Sequence, residues 1–99
     1  MKEIYIIANR YTREVGFNPV LDDQSYPILF LITDSNWSTG VFEVTILDEQ
    51  GYCLDSAMTH VDEHGATLNF ELMLSDRNFK IDVDLNTDLD RYYIHIVEG

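Results

Sequence analysis

Alternation of apolar and polar residues at every second position is the feature that most restricts the fold of this chain. It runs through four segments, which are 41–47, 66–74, 79–85 and 91–97. Successive side chains of a β-strand point to opposite sides, so each segment predicts a strand with one buried and one solvated side. Segment 27–33 is apolar at both parities, as a central strand would be. Residues 3–8 and 52–60 complete seven predicted strands, and no segment has a clear helical period.

Aspartate and glycine mark the turns between these segments. The stretches Asp48–Gly51 and Asp62–Gly65 share the pattern D-E-x-G. This pattern is typical of a turn in which the aspartate accepts a backbone N–H and the glycine takes a positive φ. Ser75–Asn78 and residues 86–88 predict further turns. Residues 9–25 predict a long loop, with a short helical turn as the alternative.

Short strands joined by closely spaced turns predict an all-β protein, an antiparallel β-sandwich of about seven strands. The chain has 99 residues, enough for one modest core, so we expect a single domain over residues 1–99. An apolar fraction of 45% favours a folded chain over a disordered acidic tail.

A resemblance to a known family rests on three segments, TILDEQGYCL (45–54), THVDEHGATLNFEL (59–72) and RYYIHIV (91–97). They resemble immunoglobulin-like domains of the macroglobulin and bacterial surface type, in which strands alternate with D-x-x-G turns and the last strand carries tyrosine. The resemblance covers about half of the chain. It implies an immunoglobulin-like sandwich and implies no activity.

The net charge of −12 is concentrated in the middle of the chain. No lysine or arginine occurs from Glu14 to Asp76. The twelve carboxylates of that span are Glu14, Asp22, Asp23, Asp34, Glu43, Asp48, Glu49, Asp55, Asp62, Glu63, Glu71 and Asp76. Such a field repels nucleic acid and anionic membranes and attracts basic proteins. We therefore expect no direct binding to nucleic acid or membrane, and the alternative role of the charge is solubility alone.

Carboxylates at outward strand positions are candidates for a binding face. We expect a face made of Glu43, Glu71, Asp82 and Asp84, with a basic protein as the partner. Carboxylates about 4.8 Å apart between strands and roughly 7 Å apart along them suit mimicry of a phosphate array. Tyr93 and Trp37 are candidate aromatic contacts of the interface, and the alternative role of Trp37 is a plug over one end of the core.

Residues 82–90 have the sequence DVDLNTDLD, with an acid or asparagine at every second position. A calcium-binding EF-hand loop needs glycine at its sixth position and glutamate at its twelfth, but counting from Asp82 those positions hold threonine and tyrosine. In a strand, Asp82 and Asp84 stand roughly 6.6–6.8 Å apart and do not clasp one ion. We expect the outer side of a strand that runs into a turn. The alternative is a weak ion site at Asn86, Asp88 and Asp90.

The sequence lacks the patterns that usually mark an enzyme or a metal site. No G-x-S-x-G motif is present, and no base stands at a recognisable spacing from Cys53 or Ser56. His60 and His64 lack the tight Cys-x-x-Cys spacing that accompanies structural zinc. We expect no enzymatic activity, no metal and no cofactor.

The sequence also indicates the cellular compartment and two candidate functions. A single cysteine excludes a disulfide framework within the chain, and the sequence shows neither a signal peptide nor an apolar run of membrane-spanning length, so we expect a cytoplasmic protein. One candidate function is a non-enzymatic acidic binding module, in one version a nucleic-acid mimic similar in size and charge to the anti-restriction and anti-CRISPR inhibitors of phages. The other is a structural immunoglobulin-like component of a virion or larger complex.

Overall fold

In a computed structural model, the structure describes residues 3–9, 13–36, 40–86 and 91–99. Within these ranges the strands are β1 (Glu3–Asn9), β2 (Glu14–Phe17), β3 (Val20–Leu21), β4 (Gln24–Ser25), β5 (Ile28–Asn36), β6 (Val41–Leu47), β7 (Cys53–His60), β8 (Ala66–Leu74), β9 (Arg77–Asn86) and β10 (Arg91–Glu98). No helix in this part of the chain has the length and apolar character that crossing a membrane requires.

The strands form two four-stranded sheets and one small hairpin, and all their pairings are antiparallel. Sheet I has the strand order β1-β10-β9-β8, sheet II has the order β2-β5-β6-β7, and β3 pairs with β4. The apolar sides of the two sheets face each other around one core, which confirms the predicted antiparallel β-sandwich. The largest fully buried side chains come from the central strands and are Phe30, Phe42, Val44, Ile46, Phe79, Ile81, Val83, Leu85, Ile94 and Ile96.

Two aromatic contacts join the sheets across this core. Phe42 of β6 meets Tyr92 of β10 edge to face, with ring centroids 6.0 Å apart. Phe17 of β2 meets Phe79 of β9 in the same manner at 6.4 Å. Edge-to-face aromatic pairs stabilise a core by about 0.5–1.5 kcal/mol beyond the area that they bury. These pairs therefore help to fix how the two sheets lie on one another.

The two D-E-x-G turns have the predicted hydrogen bonds to aspartate and the predicted positive φ at glycine. In the β6–β7 turn the carboxylate of Asp48 accepts the backbone N–H groups of Gln50 and Tyr52, both at 2.9 Å, and Gly51 has a φ of 86°. The β7–β8 turn repeats the arrangement, with the carboxylate of Asp62 as the acceptor. The first D-E-x-G stretch thus joins the paired strands β6 and β7 of sheet II, whereas the second carries the chain from β7 of sheet II to β8 of sheet I.

The prediction of a long loop over residues 9–25 is wrong, and the strand count is ten rather than seven. This stretch holds β2 and the β3–β4 hairpin. In β2 only Val15 and Phe17 face the core, so the alternation is too short to stand out in the sequence. The hairpin turns at Asp22 and Asp23, whose φ values are 51° and 61°. Turns of this kind favour asparagine and glycine, so paired aspartates are a weak signal for one.

Arg77, at the start of β9, ties the β3–β4 hairpin to sheet I. Its guanidinium lies 3.2 Å from Oδ1 of Asp22, and the Ser75 hydroxyl donates to Oδ2 of the same residue at 3.2 Å. The guanidinium also lies 3.6 Å from the carboxylate of Glu98 in β10. One end of the sandwich is therefore closed by contacts between residues that are distant in sequence.

Gly40, which precedes β6, occupies a position where a side chain does not fit. Its φ is 70°, and an added Cβ would lie 2.5 Å from the carbonyl oxygen of Val61. The Val61 N–H donates to the Gly40 carbonyl at 2.7 Å, so the two backbones are held together. Gly51 also has a positive φ, but open space surrounds it.

We predict that Gly40→Ala lowers the free energy of unfolding by about 3 kcal/mol, whereas Gly51→Ala lowers it by about 1–2 kcal/mol. Both substitutions place a side chain on a left-handed backbone, but only Gly40→Ala forces the Val61 carbonyl to move. Urea unfolding followed by circular dichroism measures both losses. Equal losses would show that the close approach to Val61 does not matter for stability.

Candidate functional site

The outer face of sheet I, here called face I, brings acidic and aromatic side chains together. The strand register arranges it in three rows, and each row takes one residue from each of the four strands. The rows are Glu3, Val97, Lys80 and Glu71; then Tyr5, His95, Asp82 and Asn69; then Ile7, Tyr93, Asp84 and Thr67. These positions alternate with the core positions of the same strands, so the core determines which side chains form the face.

His95 lies at the centre of face I. Its ring stacks on Tyr5, with centroids 4.2 Å apart and planes 5° from parallel. Its Nε2 lies 2.5 Å from Oε1 of Glu3, and its Nδ1 lies 4.0 Å from Oδ2 of Asp82. The imidazole thus lies between two carboxylates from neighbouring strands. Tyr5 is 66% exposed, so its ring is open to a partner, whereas the side chain of His95 is only 22% exposed.

Asp82 and Asp84 lie at alternate positions of β9, on the outer side that the sequence predicts. The side chain of Asp82 is 47% exposed. Asp84 is exposed and accepts a hydrogen bond from the Thr67 hydroxyl at 2.6 Å. A carboxylate accepts several hydrogen bonds, so this contact orients Asp84 and leaves acceptor capacity for a partner. Tyr93, which is half-buried, lies opposite Asp84 in the register.

Glu71 also lies on face I, but its surroundings differ. Lys80 occupies the opposite position on β9 in the β8–β9 register. Opposite charges on directly facing strand positions attract each other, and their fields partly cancel. The negative potential of face I is therefore stronger around Asp82 and Asp84 than around Glu71.

Glu43 does not share a face with the other three carboxylates, which corrects the predicted four-carboxylate surface. It lies on β6 of sheet II, between Thr33 and Met58 in the register, on the opposite outer surface of the sandwich. Alternation determines whether a side chain points inward or outward. The sheet to which a strand belongs depends on long-range pairing, which alternation does not encode.

Most acids of the central span lie in turns rather than on either face. Seven of the twelve do so, and they are Asp22, Asp23, Asp48, Glu49, Asp62, Glu63 and Asp76. The β6–β7 and β7–β8 turns stand at opposite ends of β7, so these acids lie at both ends of the sandwich. Their spread suits solubility, and it also surrounds face I with a negative field.

The outer face of sheet II, here called face II, combines apolar side chains with polar ones and carries two carboxylates, Glu14 and Glu43. Its register positions include Glu14, Leu29, Leu31, Thr33, Val41, Glu43, Thr45, Leu47, Ser56, Met58 and His60. Leu29, Leu31 and Leu47 are half-buried by their neighbours within the sheet, and Met58 is 58% exposed. Sequence reasoning missed this face, although segment 27–33 is apolar at both parities. That pattern correctly predicts a central strand, but it also signals an apolar outer surface.

Several sequence predictions fall on residues outside the described part of the chain. Trp37, Asp88 and Asp90 lie there, and of Asn86 only the backbone, which ends β9, is described. The aromatic contact at Trp37 and the weak ion site therefore stay predictions. Among the described residues, no three His, Cys, Asp or Glu side chains are grouped as they would be around a metal ion.

An open groove of about 580 Å³ lies between β1 and the β2–β3 segment. Ile4, Ile6, Phe17 and Leu21 contribute to its lining. The described lining includes no carboxylate, imidazole or thiol, so this groove offers no acid–base or nucleophile pair. Its chemistry suits an apolar contact rather than a reaction.

Comparison with family models, with curated proteins and with solved structures found no match. The resemblance to immunoglobulin-like domains therefore stays a prediction, whereas the sandwich itself is observed.

We predict that Tyr5 and His95 stabilise the fold jointly through their stacked rings. In a double-mutant cycle of Tyr5→Ala and His95→Ala, the coupling free energy measured by urea unfolding should be about 0.5–1 kcal/mol. The control cycle pairs Tyr5→Ala with Glu71→Ala on the opposite edge of face I, where we expect coupling close to zero. Strictly additive losses for Tyr5 and His95 would contradict the stacked arrangement.

Proposed function

We propose that the protein is a non-enzymatic binding module that binds a basic protein partner through face I. The supporting observation is that Glu3, Asp82 and Asp84 lie around the stacked rings of Tyr5 and His95 on one exposed surface. Acidic groups attract and orient a basic partner, and aromatic side chains add contact area at low entropic cost. The acidic groups therefore attract the partner, and the aromatic side chains provide the contact area that holds it.

The remaining charge of the chain supports the same proposal. The net charge is −12, and the acids in the turns extend the negative field beyond face I. A field of this sign raises the rate at which a basic protein arrives, and dissolved salt screens it over about 10 Å at 0.1 M. Binding should therefore weaken steeply as the salt concentration rises.

A narrower version of the proposal is inhibition of a nucleic-acid-binding protein, as phage inhibitors achieve by mimicry. Asp82 and Asp84 would then occupy lysine and arginine side chains that otherwise contact phosphates. Three of the four expected carboxylates lie on face I, and Lys80 lies among them. We therefore place general acidic binding ahead of phosphate mimicry.

We also propose that the protein acts in the cytoplasm. Its single cysteine, Cys53, is free and exposed. Exposed thiols persist in reducing compartments and oxidise elsewhere. This observation supports a cytoplasmic site of action without bearing on the identity of the partner.

The experiment uses two double variants with the same change in net charge. Asp82→Asn/Asp84→Asn removes two charges from face I, and the new side chain at position 84 can still accept the Thr67 hydroxyl because its amide carries an oxygen. Glu14→Gln/Glu43→Gln removes two charges from face II. A basic partner retained from cell extract at low salt is identified, and its affinity for each variant is measured by calorimetry.

We predict that Asp82→Asn/Asp84→Asn weakens binding by roughly tenfold to thirtyfold, because each close charge pair contributes about 1 kcal/mol near water. The face II variant should weaken binding less than about threefold, since it changes only the net field. Equal effects of the two variants would show that net charge acts without a defined face. Retention that ignores salt would contradict the proposal outright.

A second candidate function is that of an assembly component which packs face II against a neighbouring subunit of apolar surface. The observation that favours it is the contiguous set Leu29, Leu31 and Leu47, in which Leu29 lies directly opposite Leu47 and Leu31 follows Leu29 on the same side of β5. We predict that such an assembly tolerates salt and is lost in Leu31→Glu, as light scattering after size exclusion would show. Assembly that survives this substitution would remove the candidate.

A further inference from the structure

Edge strands carry unpaired backbone groups that bind strands of other chains unless some feature prevents it. In the described part of the chain, the edges are β1 and β8 in sheet I and β2 and β7 in sheet II. These four edges differ in how well they are protected. Of the four, β1 is the least protected against pairing with another strand.

Three of the edges have features that limit pairing. β2 has only four residues. β7 has a register shift beside Ile46, and the exposed, charged Asp55 lies next to this bulge. β8 lies against β7 where the two sheets meet, and it carries the charged Glu71 on its outer side. Short edges, bulges and charged side chains on an edge are recognised means of blocking strand addition.

β1 is longer than β2 and lacks the bulge of β7, and its one charge, Glu3, stands at its first position. Its register with β10 runs without a shift from Glu3↔Val97 to Asn9↔Arg91. The sequence from Ile4 to Asn9, IYIIAN, contains no charged residue and no proline. Tyr5 and Ile7 are 66% and 64% exposed on its outer side. β1 is thus a largely apolar edge strand of seven residues with one charge at its end. An edge of this kind can pair with a strand of another chain.

We propose that β1 pairs with β1 of a second copy of this chain, antiparallel and centred on Ile6, so that two copies of sheet I form one eight-stranded sheet. In this register Tyr5 lies opposite Ile7 of the second copy, and Glu3 lies opposite Asn9. No like charges meet along the seven positions. Because the two-fold axis uses the same residues in both copies, the strand has to be complementary only to itself.

The register follows from the sequence of β1. Antiparallel partners must share a face, so the two-fold axis passes through a residue position. Centring on Ile4 would set Glu3 against Tyr5, and centring on Tyr5 would set it against Ile7. Centring on Ile6 avoids both contacts and engages the whole strand. The register centred on Ile6 is thus favoured for two reasons. It pairs all seven residues of the strand, and it places the charge of Glu3 opposite a polar residue.

The area buried between the two β1 strands indicates the affinity of the dimer. A seven-residue strand spans about 23 Å, and a strand pair alone buries less than the roughly 800 Å² per partner of a standard interface. The apolar groove beside β1 adds surface, because Val20 at its rim is 67% exposed. We therefore expect a reversible dimer that forms at micromolar concentrations, on the order of weak transient complexes.

The charge of the chain gives this dimer a distinctive salt response. Two copies that each carry −12 repel one another, and salt screens the repulsion. Dimerisation should therefore strengthen as salt rises from about 50 to about 500 mM, whereas binding of a basic partner to face I should weaken. The two proposals can thus succeed or fail separately.

Analytical ultracentrifugation of the wild-type chain and two variants tests the dimer. Tyr5→Lys/Ile7→Lys sets lysine opposite lysine across the axis, and we expect the dimer to weaken at least about tenfold. Met73→Lys is the matched control, since Met73 is 65% exposed on β8 at the other edge of sheet I. Far-UV circular dichroism checks that each variant folds. We expect all of them to fold, because the replaced side chains are exposed.

Disulfide cross-linking tests the register without relying on the lysine variant. In a Cys53→Ser background, Tyr5→Cys and Ile7→Cys chains are mixed and oxidised. The two introduced thiols lie directly opposite each other in the mixed dimer, within the Cα separation of about 4.4–6.8 Å that a disulfide needs. Either variant alone places its thiols two positions apart along the strands, beyond that limit, so we expect cross-linking only in the mixture.

The proposal is supported by a dimer that strengthens with salt, is weakened by Tyr5→Lys/Ile7→Lys but not by Met73→Lys, and cross-links only in the mixture. It is overturned by a chain that stays monomeric to millimolar concentration at high salt. It is also overturned by a dimer that the lysine variant leaves unchanged, or by cross-linking that is equally efficient in each variant alone.

Discussion

The packing of two sheets through period-two side chains is the constraint on which the rest of this structure depends. Phe42 and Tyr92 interlock across the core, and so do Phe17 and Phe79. Once the apolar residues of each central strand are committed to the core, every residue between them must point outward, because a strand has only two sides. The composition of the outer faces is therefore a consequence of how the core is filled. A register slip of one residue would exchange core and surface together.

The two outer faces that result are chemically different. Face I presents Asp82, Asp84 and the stacked Tyr5–His95 pair, whereas face II presents leucines with few charges. The acids in the turns add a negative field that both faces share. A basic partner would find attraction everywhere on the molecule but a defined contact surface only on face I. That distinction is what separates a specific binding module from a merely acidic protein.

The sequence predicts much of the fold because the relevant signals are local. Four strands follow from alternation and a fifth from an apolar segment, and the D-E-x-G turns follow from one aspartate and one glycine each. The short strand β2 and the β3–β4 hairpin escape prediction because two core residues or a pair of aspartates are too little signal. The outward direction of Glu43 is predictable, but its sheet is not, since strand order depends on pairings between distant segments. The Tyr5–His95 stack likewise joins residues from the two ends of the chain.

Charge and strand edges act against each other in this molecule. The unprotected edge of β1 favours association of two copies, while the net charge of −12 opposes it. A protein that binds its partner through charge and itself through a strand edge would shift between the two with ionic strength. Joining two copies through β1 would also set two copies of face I side by side on one sheet. The same strand, through Glu3 and Tyr5, contributes to both surfaces.

A map of the amide resonances of the isotope-labelled chain, recorded by nuclear magnetic resonance before and after addition of the basic partner, shows which face of the sandwich binds that partner. We expect binding through face I, with the largest shifts at Asp82, Asp84, Tyr93 and His95 on β9 and β10. Shifts confined to β5 and β6 of sheet II, with β9 and β10 unchanged, would contradict it.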